Sequence, residues 1–230
     1  MDFEIMTAYT RALSENNNRT WFHDNHREYE KAQDEFLALL DVLKFVIVKE
    51  APKLGDSIMF TSPKAFMYRI PRDMRYSSGK EPYNPSFRAY FSPMKKEFLP
   101  FGYFFFLSHE RCSIGTGAYP WTTAQLNTLR EYVARNYEEL DDIVITNGIN
   151  VNGREMKRVP RGYESDHPAV EWLKHKYFTC SYFFTKEDMV DIDTFADAAA
   201  EAVRRFEPLR QYFMGAFESA YEELDDEFDM

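Results

Sequence analysis

The sequence predicts an α+β fold, a single domain with a central, mostly antiparallel sheet and helices packed on it. Helical patterns occupy the first fifty residues and the last part of the chain, and strand-like segments lie between them. That order is typical of an antiparallel sheet covered by helices. The chain has 230 residues, enough for one substantial core. We therefore expect one domain over residues 1–217, followed by an acidic segment at 218–230.

Two helices are predicted at the N-terminal end. Apolar side chains recur at helical spacing over residues 3–13, and the polar run 14–18 ends that pattern. A second helical pattern starts near Trp21 and continues to about Glu50. Pro52 and a nearby glycine then stop it.

From about residue 59 to residue 119 the residue pattern predicts β-strands in place of helices. Residues 87–91 predict one strand, which ends before Pro93. Residues 103–107 are continuously apolar, as expected for a strand covered on both faces. A short polar turn then leads to residues 112–114, so the two runs predict a hairpin.

Helical patterns return in the second half of the chain. Thr122 and Gln125 have the spacing of a capping box, in which the hydroxyl accepts from a free backbone amide at a helix start. The helix they begin is expected to run to about Asn136. The remaining elements predicted are a short helix after Pro168, a strand over 177–184 and a last helix over 192–217.

The charge distribution excludes one class of partner. The formal net charge is −10. Residues 218–230 carry seven acidic side chains and no Lys or Arg, so the preceding residues carry only −3. Duplex DNA is not an expected partner, because phosphate contacts need a basic face. We expect the acidic segment itself to stay solvated and flexible.

Cysteine usage and hydropathy predict a cytoplasmic protein that is not attached to a membrane. Cys112 and Cys180 are far apart and in apolar settings, which favours free thiols in a reducing compartment. No apolar run approaches the ~20 residues that a membrane span needs. His23 and His26 lack a third ligand at metal-binding spacing, and no nucleotide fingerprint is present, so neither a metal nor a cofactor is predicted.

Two irregular segments, 69–83 and 154–163, are basic in a chain that is otherwise not. Guanidinium groups offer planar, bidentate donors suited to phosphate and carboxylate. The two segments are therefore predicted to form the two halves of a site for an anionic, phosphorylated small molecule. The residues expected to bind it are Arg69, Arg72, Arg75, Lys80, Tyr83, Lys157, Arg158 and Arg161, and the acid–base candidates are Asp73 and His167.

Two other interpretations stay open. The arginines could pair with internal carboxylates such as Asp73 and only pin the loop, in which case the protein would be a non-catalytic interaction module. Nucleic-acid binding would use the same arginines with Tyr and Phe stacking, but the net charge disfavours it. Whether the protein is an enzyme, what its substrate is and which oligomer it forms do not follow from the residues.

Four pieces of the chain carry a resemblance to a known family. They are residues 16–22 (Asn-Asn-Asn-Arg-Thr-Trp-Phe), 69–83, the Gly-Thr-Gly at 115–117, and 157–168. In order and spacing the chain resembles domain-of-unknown-function family 2461 over nearly all of residues 5–215. The sequence departs from the family pattern at Asn84, where a lysine is expected. The resemblance brings no catalytic residues to carry over, so it implies an identity and leaves the function open.

Overall fold

The computed structural model describes residues 2–73, 81–92, 102–119, 122–153 and 155–228, and at 56, 57 and 218–228 it describes the backbone alone. The fold is α+β, as predicted, with a four-stranded antiparallel sheet. The chain divides into two compact units. Unit 1 comprises Met1–Lys96, Tyr103–Ile114 and Tyr182–Val203, and unit 2 comprises Glu97–Gly102, Gly115–Ser181 and Arg204–Met230.

Unit 1 begins with α1 (Phe3–Glu15), α2 (Arg19–Asp24) and α3 (His26–Glu50). The single helix expected from Trp21 to Glu50 is thus interrupted at Asn25. The side-chain amide of Asn25 donates to the Trp21 carbonyl at 2.9 Å, which competes with the helical bonding of the backbone. Asn18 caps α2, since its side chain accepts from the Trp21 amide at 2.9 Å.

The strands expected from about residue 59 do not begin there; this part of the chain forms short helices instead. After a 3-10 turn at Pro52–Leu54, the chain forms α4 (Gly55–Met59) and α5 (Pro63–Phe66). Pro63 occupies the start of α5, where a fixed φ and a missing amide hydrogen suit a helix. The first strand of the sheet begins only at Phe87.

The sheet consists of β1 (Phe87–Phe91), β2 (Tyr103–Leu107), β3 (Cys112–Ala118) and β4 (Phe178–Phe183), in the order β1-β2-β3-β4. Helix α3 packs on the inner face of β1 and β2. The ring of Phe36 stacks on Phe87, with centroids 5.0 Å apart, and on Phe105 at 6.0 Å. These rings belong to the core of unit 1, where Phe36, Phe87 and Phe105 are fully buried.

The outer face of β2 is partly exposed, contrary to the prediction from the sequence. Residues 103–107 were expected to be covered on both faces, yet the side chain of Phe104 is 41% exposed and that of Phe106 is only half-buried. Tyr103, Phe105 and Leu107 alternate with them and are fully buried. The prediction of two covered faces was therefore wrong, because a continuous apolar run does not reveal whether a second layer is present to cover it.

Unit 2 is built around α6 (Thr123–Thr146), whose predicted capping box between Thr122 and Gln125 is confirmed. The helix continues ten residues past the expected end at Asn136, where the backbone is kinked at φ −124° and ψ 28°. The side chain of Asn136 donates to the Tyr132 carbonyl at 2.9 Å. Asn136, which was expected to end the helix, therefore lies at a kink within it.

The other elements of the second half follow the predictions more closely. Helix α7 (Val170–Leu173) is short, and α8 begins at Ile192. The backbone of α8 (Ile192–Phe228) remains helical beyond the boundary that was expected at residue 217. Within unit 2 the ring of Phe178 contacts Phe213 at 5.2 Å, so β4 packs against α8 there.

Gly117 lies where the backbones of two strands approach closely. Its φ of 138° is one that other residues rarely adopt. A Cβ atom at this position would collide with the carbonyl oxygen of Phe178 on the neighbouring strand. In the described part of the chain, no helix is both long enough and apolar enough to cross a membrane.

Candidate anion-binding site

A cleft of about 430 Å³ lies on unit 1 at the first basic segment. The residues that line it are Tyr68, Arg69, Pro71, Arg72, Asp73, Asn84 and Arg88, and we call it the arginine cleft. Three of its side chains are guanidinium groups and one is a carboxylate. Three of the residues predicted to form a site, Arg69, Arg72 and Asp73, are therefore brought together by the fold.

Backbone pairing positions the side chains of the cleft. Arg72 donates its amide to the Pro82 carbonyl at 2.9 Å, and Asn84 donates to the Ile70 carbonyl at 2.9 Å. These two bonds close the irregular segment into a narrow antiparallel pair. Farther along, the amide of Tyr68 donates to the Arg88 carbonyl at 2.8 Å, which fixes this arm against β1. This pairing places the side chain of Arg88, on β1, in the same cleft as that of Arg72, on the irregular segment.

Arg88 is a half-buried cation without a carboxylate partner among the described residues. Its Nη2 donates a long bond of 3.5 Å to the Arg69 carbonyl, and its Cζ lies 5.7 Å from the centroid of the Tyr68 ring. Burial lowers the pKa of the Arg88 guanidinium, Tyr68 acts in the opposite direction, and the neighbouring charge of Arg72 lowers it further. The charge of Arg88 is thus poorly compensated in the folded protein.

Arg72 has only a weak internal partner. Its Nη2 lies 3.8 Å from Oε2 of Glu81, and the side chain of that glutamate is 57% exposed. An exposed ion pair at this distance contributes little. The Nε atoms of Arg72 and Arg88 are both buried and have no hydrogen-bond partner within the described ranges. Two donors of neighbouring guanidinium groups therefore lack an acceptor within the described residues.

Tyr83 does not line the cleft, although it was predicted to bind the ligand. Its ring is buried and stacks on Phe22, with centroids 4.2 Å apart and planes 12° apart. Its backbone is held by Asn17, which accepts from the Tyr83 amide at 3.1 Å and donates to the Tyr83 carbonyl at 3.0 Å. The role of Tyr83 is to anchor the segment to the start of α2.

The second basic segment belongs to unit 2. Lys157, Arg158 and Arg161 are exposed there. His167 is half-buried, and its Nδ1 accepts from the Ala169 amide at 3.0 Å just before α7, so this nitrogen is engaged locally. A contribution of these residues to anion binding stays a prediction. Arg75 and Lys80 of the first segment lie outside the described residues.

Sequence reasoning missed four residues of this region: Tyr68, Asn84 and Arg88 in the cleft, and Asn17 behind it. Arg88 carried a usable signal, since it is a charged residue at an outward position of a predicted strand. Asn17 carried none, because it lies 66 residues from Tyr83 in the sequence.

The environment of the two cysteines does not favour thiol chemistry. Cys112 and Cys180 are free and buried. Burial raises the pKa of Cys180 to about 12 and raises the pKa of Cys112 as well, so neither is a ready thiolate. No group of three or more His, Cys, Asp or Glu side chains in the described ranges could hold a metal ion.

Comparison with known proteins agrees with the resemblance noted in the sequence. The family model described as "Conserved hypothetical protein (DUF2461)" matches residues 6–212. Comparisons with curated proteins and with solved structures found no match. Because the matched region covers the arginine cleft and most of both units, the chain belongs to the DUF2461 family of conserved hypothetical proteins.

Proposed function

We propose that the protein binds an anionic, phosphorylated small molecule in the arginine cleft. The observation that carries this proposal is the neighbouring pair of guanidinium groups of Arg72 and Arg88, whose Nε donors have no hydrogen-bond partner among the described residues. Two adjacent cations repel each other unless an anion joins them. Within the described residues, the carboxylate nearest to this pair is Glu81, 3.8 Å from Arg72 and largely in solvent.

Phosphate suits this arrangement better than a single carboxylate. It offers several acceptor oxygens to guanidinium groups that approach from different sides. The cleft is open to solvent and has a volume of about 430 Å³. Asp73 lines the same cleft and is the acid–base candidate for chemistry on a bound ligand, whereas His167 belongs to unit 2.

The proposal keeps two further expectations from the sequence. Duplex DNA is not an expected partner, because phosphate contacts need a basic face and residues 1–217 carry a net charge of −3. A cytoplasmic location fits two cysteines that are buried and not bonded to each other.

Thermal-shift measurements with a panel of anions test the proposal. The panel contains phosphate, sulfate, sugar phosphates and dicarboxylates. A phosphorylated compound at 100 times its Kd adds about 2.7 kcal/mol of stability, which raises the Tm of a chain of this size by roughly 5–10 °C. The shift should disappear in Arg72→Ala and Arg88→Met, and it should persist in Arg11→Ala, which removes an exposed cation of α1.

The same variants without ligand separate binding from a structural role. Because Arg88 is poorly compensated, Arg88→Met should leave the ligand-free Tm unchanged or raise it. No shift with any anion, together with a large fall in Tm for Arg88→Met, would make the arginines structural and favour the interaction module. A triple variant with alanine at Lys157, Arg158 and Arg161 then shows whether the second segment contributes to affinity.

A further inference from the structure

Aromatic side chains form an exposed surface beside the arginine cleft. In the antiparallel register of β1 and β2, Tyr90 lies opposite Phe104 and Arg88 lies opposite Phe106. Alternation places these four side chains on the outer face of the two strands, since the residues between them are buried.

The rings on this face contact one another. The centroid of Phe104 lies 5.9 Å from that of Tyr68 and 6.2 Å from that of Tyr90. Phe104 nevertheless keeps 41% of its side chain exposed. We call Tyr68, Tyr90 and Phe104 the ring face. An exposed phenylalanine between two tyrosines is a ready platform for a planar group.

The ring face and the arginine cleft have one residue in common, Tyr68. Tyr68 lines the cleft, and its ring contacts that of Phe104. The guanidinium of Arg88 lies over the Tyr68 ring at 5.7 Å, and that of Arg111 lies over Phe106 at 4.5 Å. A ligand with a phosphate in the cleft can therefore reach the rings without leaving the surface of unit 1.

We propose that the ligand is a nucleoside phosphate, with its phosphate in the arginine cleft and its base stacked on Phe104. This inference rests on the function proposed above and adds the chemical class of the ligand. A base stacks on aromatic rings and on guanidinium planes alike; the ring face offers the rings, and Arg88 over the Tyr68 ring offers a guanidinium beside them.

A mononucleotide fits the molecule better than a nucleic-acid strand. The arginine cleft offers guanidinium groups for one phosphate group. A chain of phosphates needs an extended basic face, which a net charge of −3 over residues 1–217 does not favour, whereas one phosphate group meets only the local cations of the cleft.

Isothermal titration calorimetry with the full chain tests the inference. The ligands are ribose 5-phosphate and the four nucleoside 5′-monophosphates, which differ from it by the base. Stacking of one base on aromatic side chains corresponds to about 5- to 150-fold in affinity. We expect at least one nucleotide to bind about tenfold more tightly than ribose 5-phosphate.

Phe104→Ala should remove that advantage and leave the affinity for ribose 5-phosphate unchanged, because Phe104 does not line the cleft. Phe104→Trp should preserve it. The matched control is Phe60→Ala, which removes a ring that is 89% exposed and makes no ring contact among the described residues. The control should alter neither affinity.

Each outcome separates the inference from the proposed function. Equal affinity for ribose 5-phosphate and every nucleotide would overturn the inference and leave phosphate binding intact. Absence of binding by all phosphorylated ligands would overturn both. A single-stranded oligothymidylate that binds more tightly than any mononucleotide, through Phe104, would replace the mononucleotide with a strand and likewise overturn the inference.

Discussion

The side-chain amide of Asn17 forms two hydrogen bonds with the backbone of Tyr83, one as donor at 3.0 Å and one as acceptor at 3.1 Å. An amide is suited to this task, because it offers a donor and an acceptor side by side. The bonds hold the far arm of the cleft segment against the start of α2. One side chain thus positions a loop that carries the candidate ligand-binding arginines.

We predict that Asn17→Ala lowers the free energy of unfolding by about 1–3 kcal/mol, since two backbone groups lose their partners. Asn16→Ala is the matched control, because that neighbouring amide bonds only to the Ala12 carbonyl at the end of its own helix. Urea denaturation measures both. Equal effects of the two substitutions would show that the contact with Tyr83 contributes no stability.

At the scale of elements, helix ends and joints are stabilised by side chains that satisfy backbone groups. Arg130 of α6 is buried and donates from Nε to the Leu173 carbonyl at 3.0 Å and from Nη2 to the His175 carbonyl at 3.3 Å. Both acceptors lie at the C-terminal end of α7, where helical carbonyls lack internal partners. Arg130 therefore joins the two helices within unit 2.

The start of α6 offers the clearest test at this scale. Thr122→Ala should lower the free energy of unfolding by about 1 kcal/mol, because its hydroxyl accepts from the Gln125 amide at 3.1 Å. Thr123→Ala provides the control, since Thr123 is the first helical residue and is exposed. Chemical denaturation of the two variants compares them. A control as destabilised as the cap variant would contradict the capping role.

At the scale of the whole molecule, stability depends on pH through groups whose pKa differs between the folded and unfolded states. His175 is buried in unit 2 between the rings of Trp172 and Phe178. Burial lowers the pKa of His175 below its usual value of 6.5, and Glu155, 3.8 Å away, opposes that change only in part. The neutral imidazole is therefore favoured in the folded state.

We predict that the protein loses stability as the pH falls below about 6.5, the unfolded-state pKa of histidine. In that range the unfolded chain gains a proton that the folded protein resists, so protonation favours unfolding. The loss ends once the pH has fallen through the lower folded-state pKa. The Tm should drop less between pH 7.5 and pH 5.5 in His175→Gln than in the wild type. His23→Gln, at an exposed position of α2, should show the full drop; a full drop in His175→Gln would exclude His175 as the cause.

Local pattern was sufficient for much of the fold and for part of the candidate site. Helical spacing and caps predicted α1, α3 and α6, because a helix bonds within its own segment. The irregular, basic segment that contains Arg69 and Arg72 was identified in the same way. Asn136 was predicted to end a helix although it marks a kink, and the break at Asn25 was not predicted, since an asparagine side chain can end or bend a helix.

The other residues of the candidate site could not be predicted from local pattern, because strand pairing and long-range contacts bring them there. Arg88 and Tyr68 enter the cleft because β1 pairs with the arm that precedes the loop, and Asn17 reaches Tyr83 across 66 residues. The exposure of Phe104 depends on whether a second layer covers β2, which no property of residues 103–107 can express. The sequence alone determined the preferred local structure of each segment. The cleft and the exposure of Phe104 were decided by the tertiary structure, because both depend on which distant segments pack together.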